Sequence, residues 1–320
     1  MKLTEALNLK QKPFLSIEII PPRKGSKLEN IFLPIEKLLP FNPLFINVTN
    51  HQTSFTFQEV GNEIHKIPHN KHAGTVGLAS AIKQRYNIEP VPHLICSGSN
   101  RFQLENLLID FQFLNFQNLF VVRGDPVPNN YVSNPEQDNF SYASEIVKQI
   151  SDMNKGIFTY PIESANASDF CIGVAGYPEK HFEAMNMEKD LQSLKYKVDQ
   201  GADYIITQIF FNFDYYRRFV EKARKIGITI PIIPGIKPVI RRKSLQRIPR
   251  DFYIDIPQEL VAAFEQARTE KEEFLAGTHY MTSLVEKLID YGVPAIHLFT
   301  MGKGRSAKAL LENIKGFLRQ

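Results

Sequence analysis

Eight short apolar runs, each bounded by turn residues, recur along the chain with a helical segment after every one. They are residues 15–20 (LSIEII), 44–49 (LFINVT), 91–96 (VPHLIC), 118–122 (NLFVV), 171–177 (CIGVAGY), 204–210 (YIITQIF), 229–236 (TIPIIPGI) and 295–301 (AIHLFTM). Most are continuously apolar rather than alternating, the pattern of strands buried on both faces of a parallel sheet. Helical spacing is expected at 28–39, 59–67, 104–116, 142–153, 187–199, 214–226, 281–291 and 306–318. Strict strand–helix alternation implies a parallel sheet. Eight such units in 320 residues match an α/β protein of the (β/α)8 TIM barrel class. A doubly wound open sheet is the runner-up, and it requires a glycine-rich turn after the first strand. This chain has Glu18-Ile-Ile-Pro-Pro22 there, so the barrel is expected.

No shift in composition marks a second domain, so one catalytic barrel is expected over 1–320, with 154–170 as an inserted loop because it is long for a helix-to-strand connection. At 43% hydrophobic and 22% charged the composition is that of a soluble globular protein. The longest apolar runs are strand-sized, which argues against a membrane partner. The first ten residues carry no secretory pattern. Cys96 and Cys171 are too few for a disulfide framework, and a cytoplasmic location with free thiols is expected. A net charge of +4 is mild. It suits anionic small molecules and gives little reason to expect a nucleic-acid partner.

The carboxyl ends of barrel strands converge on one face, where ligands bind. Glu18, Thr49, His93, Arg123-Gly124-Asp125, Tyr177 and Gln208 all fall at or near such ends. Glu18 interrupts an apolar run, so its carboxylate must meet a wet cavity or a partner, because burying it alone is costly. The run at 118–122 delivers a cation, a glycine and a carboxylate, and Pro126 and Pro128 then force an irregular exit. On helix 187–199, Leu191, Leu194 and Val198 form the buried stripe, while Asp190 and Lys197 share another face two turns apart.

Three further patterns leave alternatives open. Gly302–Ala307 resembles a GxGxxA dinucleotide loop, but a true fingerprint needs a strand after its helix; anion contact by Lys303 is the other reading. His65, His69 and His72 recur at helical spacing, yet Pro68 breaks that helix and no cysteine or acidic pair accompanies them, so no metal is expected. Arg241-Arg242-Lys243 is either a solvated turn or a site for a carboxylate-rich substrate tail.

Taken in order, Ser16-Ile-Glu-Ile-Ile-Pro-Pro22, Val48-Thr49, Pro92-His93-Leu94, Arg123-Gly124-Asp125, Ala175-Gly-Tyr-Pro-Glu179 with His181 and Glu183-Ala184, Lys195-Tyr-Lys197-Val198-Asp199 with Gly201-Ala202, Ile206-Thr-Gln-Ile-Phe-Phe211, Ile233-Pro-Gly-Ile236 and His297-Leu-Phe-Thr300 resemble the 5,10-methylenetetrahydrofolate reductases. The similarity runs from about residue 14 to the last residue, and the chain looks like a catalytic barrel without the C-terminal regulatory domain of eukaryotic members. The resemblance implies bound FAD, NADH or NADPH as co-substrate, a folate substrate, a homo-oligomer, and a role in supplying methyl groups for methionine synthesis.

Residue by residue, the resemblance makes Glu18 the general acid that protonates folate N10, a task needing a raised pKa. It places Asp125 beside the flavin and the pterin, where its charge stabilises a cationic iminium, and makes Gln208 a contact of folate and nicotinamide in turn. It assigns Thr49, His93, Arg123, Gly124, Asp125, Tyr142, Ala143, Tyr177, His181, Ala184, Asp190, Ser193, Tyr196 and Lys197 to FAD. Folate contacts are expected from Glu18, Asp125, Gln208, Phe299 and Lys303. The sequence departs from the family at Lys303, where arginine is common, at Asn50 for a tyrosine, at Phe182 for a proline, and at Ser244 and Ile248 near the folate. A lysine lacks the bidentate fork of arginine. Two other classes compete: a flavin-free barrel lyase or aldolase acting on a phosphorylated substrate, against which no mid-strand lysine is placed as a Schiff-base former, and a non-catalytic binding module.

Overall fold

The computed structural model describes the chain apart from residues 10–11, 28, 53, 62, 70, 98, 125–139, 301–303 and 320, and apart from the side chains at 54, 55, 66 and 68. In chain order it contains α1 (Leu3–Asn8), β1 (Phe14–Ile19), α2 (Glu29–Glu36), β2 (Phe45–Val48), β3 (Ser54–Val60), β4 (Glu63–His69), α3 (Thr75–Tyr86), β5 (Glu89–Ile95) and α4 (Arg101–Phe113). Next come β6 (Asn118–Val122), α5 (Ala143–Met153), β7 (Cys171–Gly176), α6 (Met187–Asp199), β8 (Tyr204–Ile209), α7 (Phe213–Lys225) and β9 (Ile232–Ile236). The chain finishes with α8 (Lys243–Phe252), α9 (Gln258–Gln266), α10 (Glu270–Asp290), β10 (Ala295–Phe299) and α11 (Arg305–Ile314).

Eight strands close into a barrel in the order β1-β10-β9-β8-β7-β6-β5-β2, every neighbouring pair parallel. Because side chains alternate along a strand, each strand serves two cores. Leu15, Ile17 and Ile19 of β1, with Ile46, Val48, Val121 and Leu298, pack outward against the helices. Phe14, Phe45, Val91, Phe120, Cys171, Tyr204, Ile233 and Ala295 form the second cluster, which fills the lower lumen. Leu3 and Ala6 of α1 join that cluster, and the Leu3 amide donates to Asn118 Oδ1 at 2.6 Å, so α1 plugs the amino-terminal end. Tyr204 crosses the lumen over Gly173, where an added Cβ would stand 2.2 Å from its ring, and donates to the Leu119 carbonyl at 3.2 Å.

All eight expected barrel strands are present. Residues 59–67, expected as a helix, instead form part of the antiparallel hairpin β3–β4. Val60 pairs with Glu63, and Gly61 after Val60 holds φ +64°, a conformation that glycine adopts without strain. A glycine-containing dipeptide between two β-forming runs is a hairpin signal, and here it overrides the helical spacing. Four helices were not expected: α1, α3 between β4 and β5, and α8 and α9 after β9. Helix α10 begins at Glu270, eleven residues before the expected start at 281; Thr269 caps it, accepting from the Glu272 amide at 3.2 Å. Residues 154–170 contain no helix or strand, and Asn154 pins their far end by donating to the Phe170 carbonyl at 2.8 Å. No helix among the described residues is long and apolar enough to cross a membrane. Both cysteines are free and buried, and burial pushes each thiol up to about 12.

Candidate active site

The upper lumen is polar where the lower lumen is apolar. Ser16 and Glu18 lie two residues apart on β1 and share its lumen face with Asn47 on β2, His93 on β5 and His297 on β10. Glu18 Oε2 stands 3.7 Å from Nε2 of both His93 and His297. Asn47 Nδ2 donates to Ser16 Oγ at 3.0 Å, and Ser16 Oγ lies within hydrogen-bond distance of His297 Nδ1 at 3.1 Å. Asn47 Oδ1 accepts from His93 Nε2 at 3.3 Å, so the His93 imidazole turns its N–H to this space. Burial pushes His93 down to about 4, against the opposing charge of Glu18, and at neutral pH it is a neutral donor. The Thr300 hydroxyl donates to the Glu18 carbonyl at 2.7 Å and ties the end of β10 to β1.

Of this group the sequence singled out Glu18 and His93 and passed over Ser16, Asn47 and His297. The signal was available in the period of two: Ser16 precedes Glu18, Asn47 precedes Thr49, and His297 precedes Phe299, each by two residues on one face. Phe299 itself meets the His297 ring edge-on, with centroids 4.8 Å apart.

A second group lines the exits of β6 and β7 and is completed by Asp190 from the first turn of α6 and Lys197 from its last. Lys197 is half-buried and donates to the Ala175 carbonyl at 2.6 Å; burial pushes its ammonium down to about 8, with Asp190 acting in the other direction. Asp190 Oδ2 accepts from the His181 amide at 3.0 Å, and burial raises its carboxyl while that N–H and Lys197 offset the rise. The His181 ring packs edge-on to Tyr177 at 4.7 Å, and burial lowers its pKa. Arg123 forms an ion pair with Glu183 and lies over the Tyr142 ring, 5.6 Å from its centroid. Gly124 holds φ +86°, and Ala143 opens α5 beside Tyr142. Ala184 donates its amide to the His181 carbonyl at 3.0 Å. Thr49 Oγ1 lies 3.3 Å from His51 Nε2 at the mouth end of β2.

The fold therefore brings together Glu18 with His93, Arg123 with Tyr142, and Tyr177, His181, Asp190 and Lys197. It leaves Tyr196 exposed on α6, where Ser193 spends its hydroxyl on the Lys189 carbonyl at 3.0 Å. Gln208 stands half-buried at the mouth end of β8, its side-chain oxygen accepting from the Ile209 amide at 2.9 Å. Asp125 and Lys303 lie outside the described residues. His65 and His69 sit on β4 rather than a helix, and His72 lies beyond it, stacked on His51 at 4.1 Å. No cluster of three metal-ligating side chains occurs among the described residues. Two clefts of about 280 and 750 Å³ open at the opposite, amino-terminal end, around Phe14 and Arg319 and around Tyr86 and Glu89. Neither holds any residue of the two groups above, and the carboxyl-terminal face is where barrels of this kind place their chemistry.

The family model described as methylenetetrahydrofolate reductase matches residues 2–315. Methylenetetrahydrofolate reductase (NADH) 1 of Arabidopsis thaliana is 29% identical over 309 residues, covering 93% of this chain and 48% of the plant protein. The 5,10-methylenetetrahydrofolate reductase of Pectobacterium carotovorum is 28% identical over 316 residues, covering 97% of this chain and 94% of the bacterial one. The chain thus spans about half the length of the plant relative and nearly all of the bacterial one. Among solved structures, a protein from Clostridium thermocellum that binds two copies of 5-methyl-5,6,7,8-tetrahydrofolic acid superposes with a TM-score of 0.61 at 14% identity, over 99% of this chain and all of the other, a likeness of fold. With a family model spanning the whole barrel and both polar groups at its carboxyl-terminal mouth, the chain belongs to the methylenetetrahydrofolate reductase family.

Proposed function

We propose that the chain reduces 5,10-methylenetetrahydrofolate to 5-methyltetrahydrofolate with NADH or NADPH, through a bound FAD, in two successive half-reactions. The observation that carries this reading is Glu18: a carboxyl group at the end of β1, 3.7 Å from the Nε2 atoms of two imidazoles, in a polar upper lumen above an apolar floor.

The donor set at the mouth fits FAD. A half-buried ammonium pushed down to about 8 holds its charge more firmly when an anion sits beside it, so Lys197 suits a diphosphate. Arg123 offers a second cation, and Asp190, half of whose carboxylate is taken by the His181 amide, offers an acceptor for ribose hydroxyls. Thr49, His93, Tyr142, Tyr177 and His181 complete the cradle. FAD, when bound, supplies a carrier for the hydride between nicotinamide and folate.

The chain's own residues account for the rest. Glu18 in its acid form gives a proton to N10, which opens the five-membered ring of the folate to an electrophilic iminium. His93, held neutral by burial, and His297 each bring Nε2 to 3.7 Å from Glu18 Oε2 and so set polar groups on either side of the carboxyl. Asp125 would place a negative charge near the iminium, and Gln208 would orient folate and nicotinamide in turn. Phe299 supplies an apolar wall over His297.

Anaerobic mixing tests this directly. Protein loaded with FAD is expected to bleach on addition of NADH or NADPH and to recolour on addition of methylenetetrahydrofolate, with 5-methyltetrahydrofolate formed in equal amount. Protein that takes up no FAD, or that bleaches but never recolours with folate, refutes the assignment.

A further inference from the structure

The hairpin β3–β4 leaves the barrel at the exit of β2, and none of its described residues belongs to either core. Its base is stitched to the connection after β1. The Lys24 amide donates to the Lys71 carbonyl at 2.9 Å, the Ala73 amide donates to the Pro22 carbonyl at 3.0 Å, and His72 Nδ1 lies 2.7 Å from the Pro21 carbonyl oxygen. Beyond that base every described side chain from Thr56 to Ile67 is exposed, Phe57 at 66% and Ile64 at 70%. A two-stranded sheet with both faces in water is marginal, and further strands are what stabilise such a unit.

The two edges of the hairpin differ. Pro68 lies in β4, and a proline inside a strand keeps its missing N–H on the outer side of the ladder. By the period of two, Ile64, Lys66 and Pro68 turn their backbone groups away from β3. Their partners Glu59, Phe57 and Phe55 then turn theirs away from β4. Proline at an outward position blunts the β4 edge against further pairing. The β3 edge (SFTFQEV) has no proline and is rich in β-forming residues, so it is the edge left open. Charge indicates which strand fits it. The tip of the hairpin carries Glu59 and Glu63, and the base carries Arg23, Lys24 and Lys71, all five exposed. A second β3 laid antiparallel about a two-fold axis sets the acidic tip of each copy beside the basic base of the other. With the axis at Phe57, Glu59 faces Phe55 of the second copy, and no two like charges meet across the ladder.

We propose that β3 is an interface between two copies of this chain, which join their β3 edges antiparallel into one four-stranded sheet in the order β4-β3-β3-β4. The outward N–H and C=O groups of Phe55, Phe57 and Glu59 all gain partners in that sheet. The Phe57 rings, open to solvent in a single chain, meet across the axis, with Ile64 diagonal to each on the same face. The interface is isologous and closes on itself, and Pro68 at each outer edge stops growth beyond two copies. Because the hairpin springs from the β2 exit and is tied to the β1 exit, the shared sheet joins the two barrels at the rims of their mouths.

The test is mass by light scattering after gel filtration, on the parent, Phe57→Glu and Phe57→Arg. The side chain is exposed in a single chain, so neither change touches a core, and circular dichroism checks the fold. Each variant sets like charges against each other across the axis and is expected to halve the mass of the parent assembly. Mixing the two variants in equal amounts sets Glu against Arg and is expected to restore the parent mass. A second measurement needs no substitution: carbodiimide crosslinking of a mixture of isotopically light and heavy parent chains. Links from Glu59 or Glu63 of one copy to Lys24 or Lys71 of the other are expected. A parent that runs as a single chain, folded variants that keep the parent mass, or a mixture that stays at half of it overturns the proposal. Crosslinks at these residues confined within single chains also overturn it and assign the hairpin to its own barrel.

Discussion

His93 gives the account a quantity that can be measured away from turnover. The imidazole is fully buried between Asn47, Glu18 and the Phe120 ring, which lies 4.8 Å away, and burial pushes its pKa from 6.5 to about 4. Between those values the unfolded chain binds a proton at this position that the folded chain refuses, so stability rises with pH across the window and is lost as pH falls through it. At 1.36 kcal/mol per unit the full difference is about 3 kcal/mol, most of it lost by pH 4.5. Glu179 works against this in the parent. Burial raises its carboxyl to about 7, so the folded chain holds that proton more tightly and stability falls as pH rises from 4.5 to 7. The parent profile alone is therefore a difference of two opposed effects, and a variant must separate them. His93→Gln keeps a donor for Asn47 Oδ1 and does not titrate. Urea unfolding followed by circular dichroism at pH 7.5 and 4.5 is the assay. The parent is expected to lose about 2.5 kcal/mol more than His93→Gln between the two, roughly 1 M in midpoint. Equal losses would refute the burial argument and with it the claim that His93 is a neutral donor to the site.

Three other outcomes follow from the geometry. Because the Lys197 ammonium sits at about 8, affinity of the apoprotein for FAD should fall as pH rises through 8; Lys197→Met should bind FAD roughly tenfold or more weakly and lose that dependence, as titration of flavin fluorescence will show. Glu179→Gln should gain in melting temperature relative to the parent at pH 8 compared with pH 5, since the parent carries an unwelcome buried carboxylate only at the higher pH. Gly235→Ala would put a Cβ 2.1 Å from the Thr207 carbonyl oxygen and 2.6 Å from the Phe299 ring. Backbone cannot yield cheaply, so a loss of about 2 kcal/mol or more and a melting temperature lower by several degrees are expected.

The barrel could be read from the chain because its strands are apolar on both faces, a pattern that local spacing reveals without knowledge of partners. Residues 59–67 were misread for a physical reason. Ile64 and Ile67 sit three apart, as on a helix, but both are exposed, at 70% and 39%, so no buried face ever selected that period. Helix α8 escaped notice because Lys243, Arg247, Arg250 and Asp251 make it largely polar and Pro249 lies inside it. In the site, Glu18 stood out as a charge in an apolar run. Ser16, Asn47 and His297 did not, since each became meaningful only when closure of the barrel set Ser16 of β1 against His297 of β10 and Glu18 against Asn47 of β2. The stack of Phe182 on Tyr253 spans 71 positions of sequence, and no local pattern reports a contact of that kind.

The central claim is that Glu18 is the acid for folate and takes no part in the step with nicotinamide. Rapid mixing of Glu18→Gln, loaded with FAD, measures both half-reactions in one protein. The account predicts bleaching by NADH at close to the parent rate, followed by no detectable recolouring with methylenetetrahydrofolate. Loss of both half-reactions together, or recolouring at the parent rate, would contradict it.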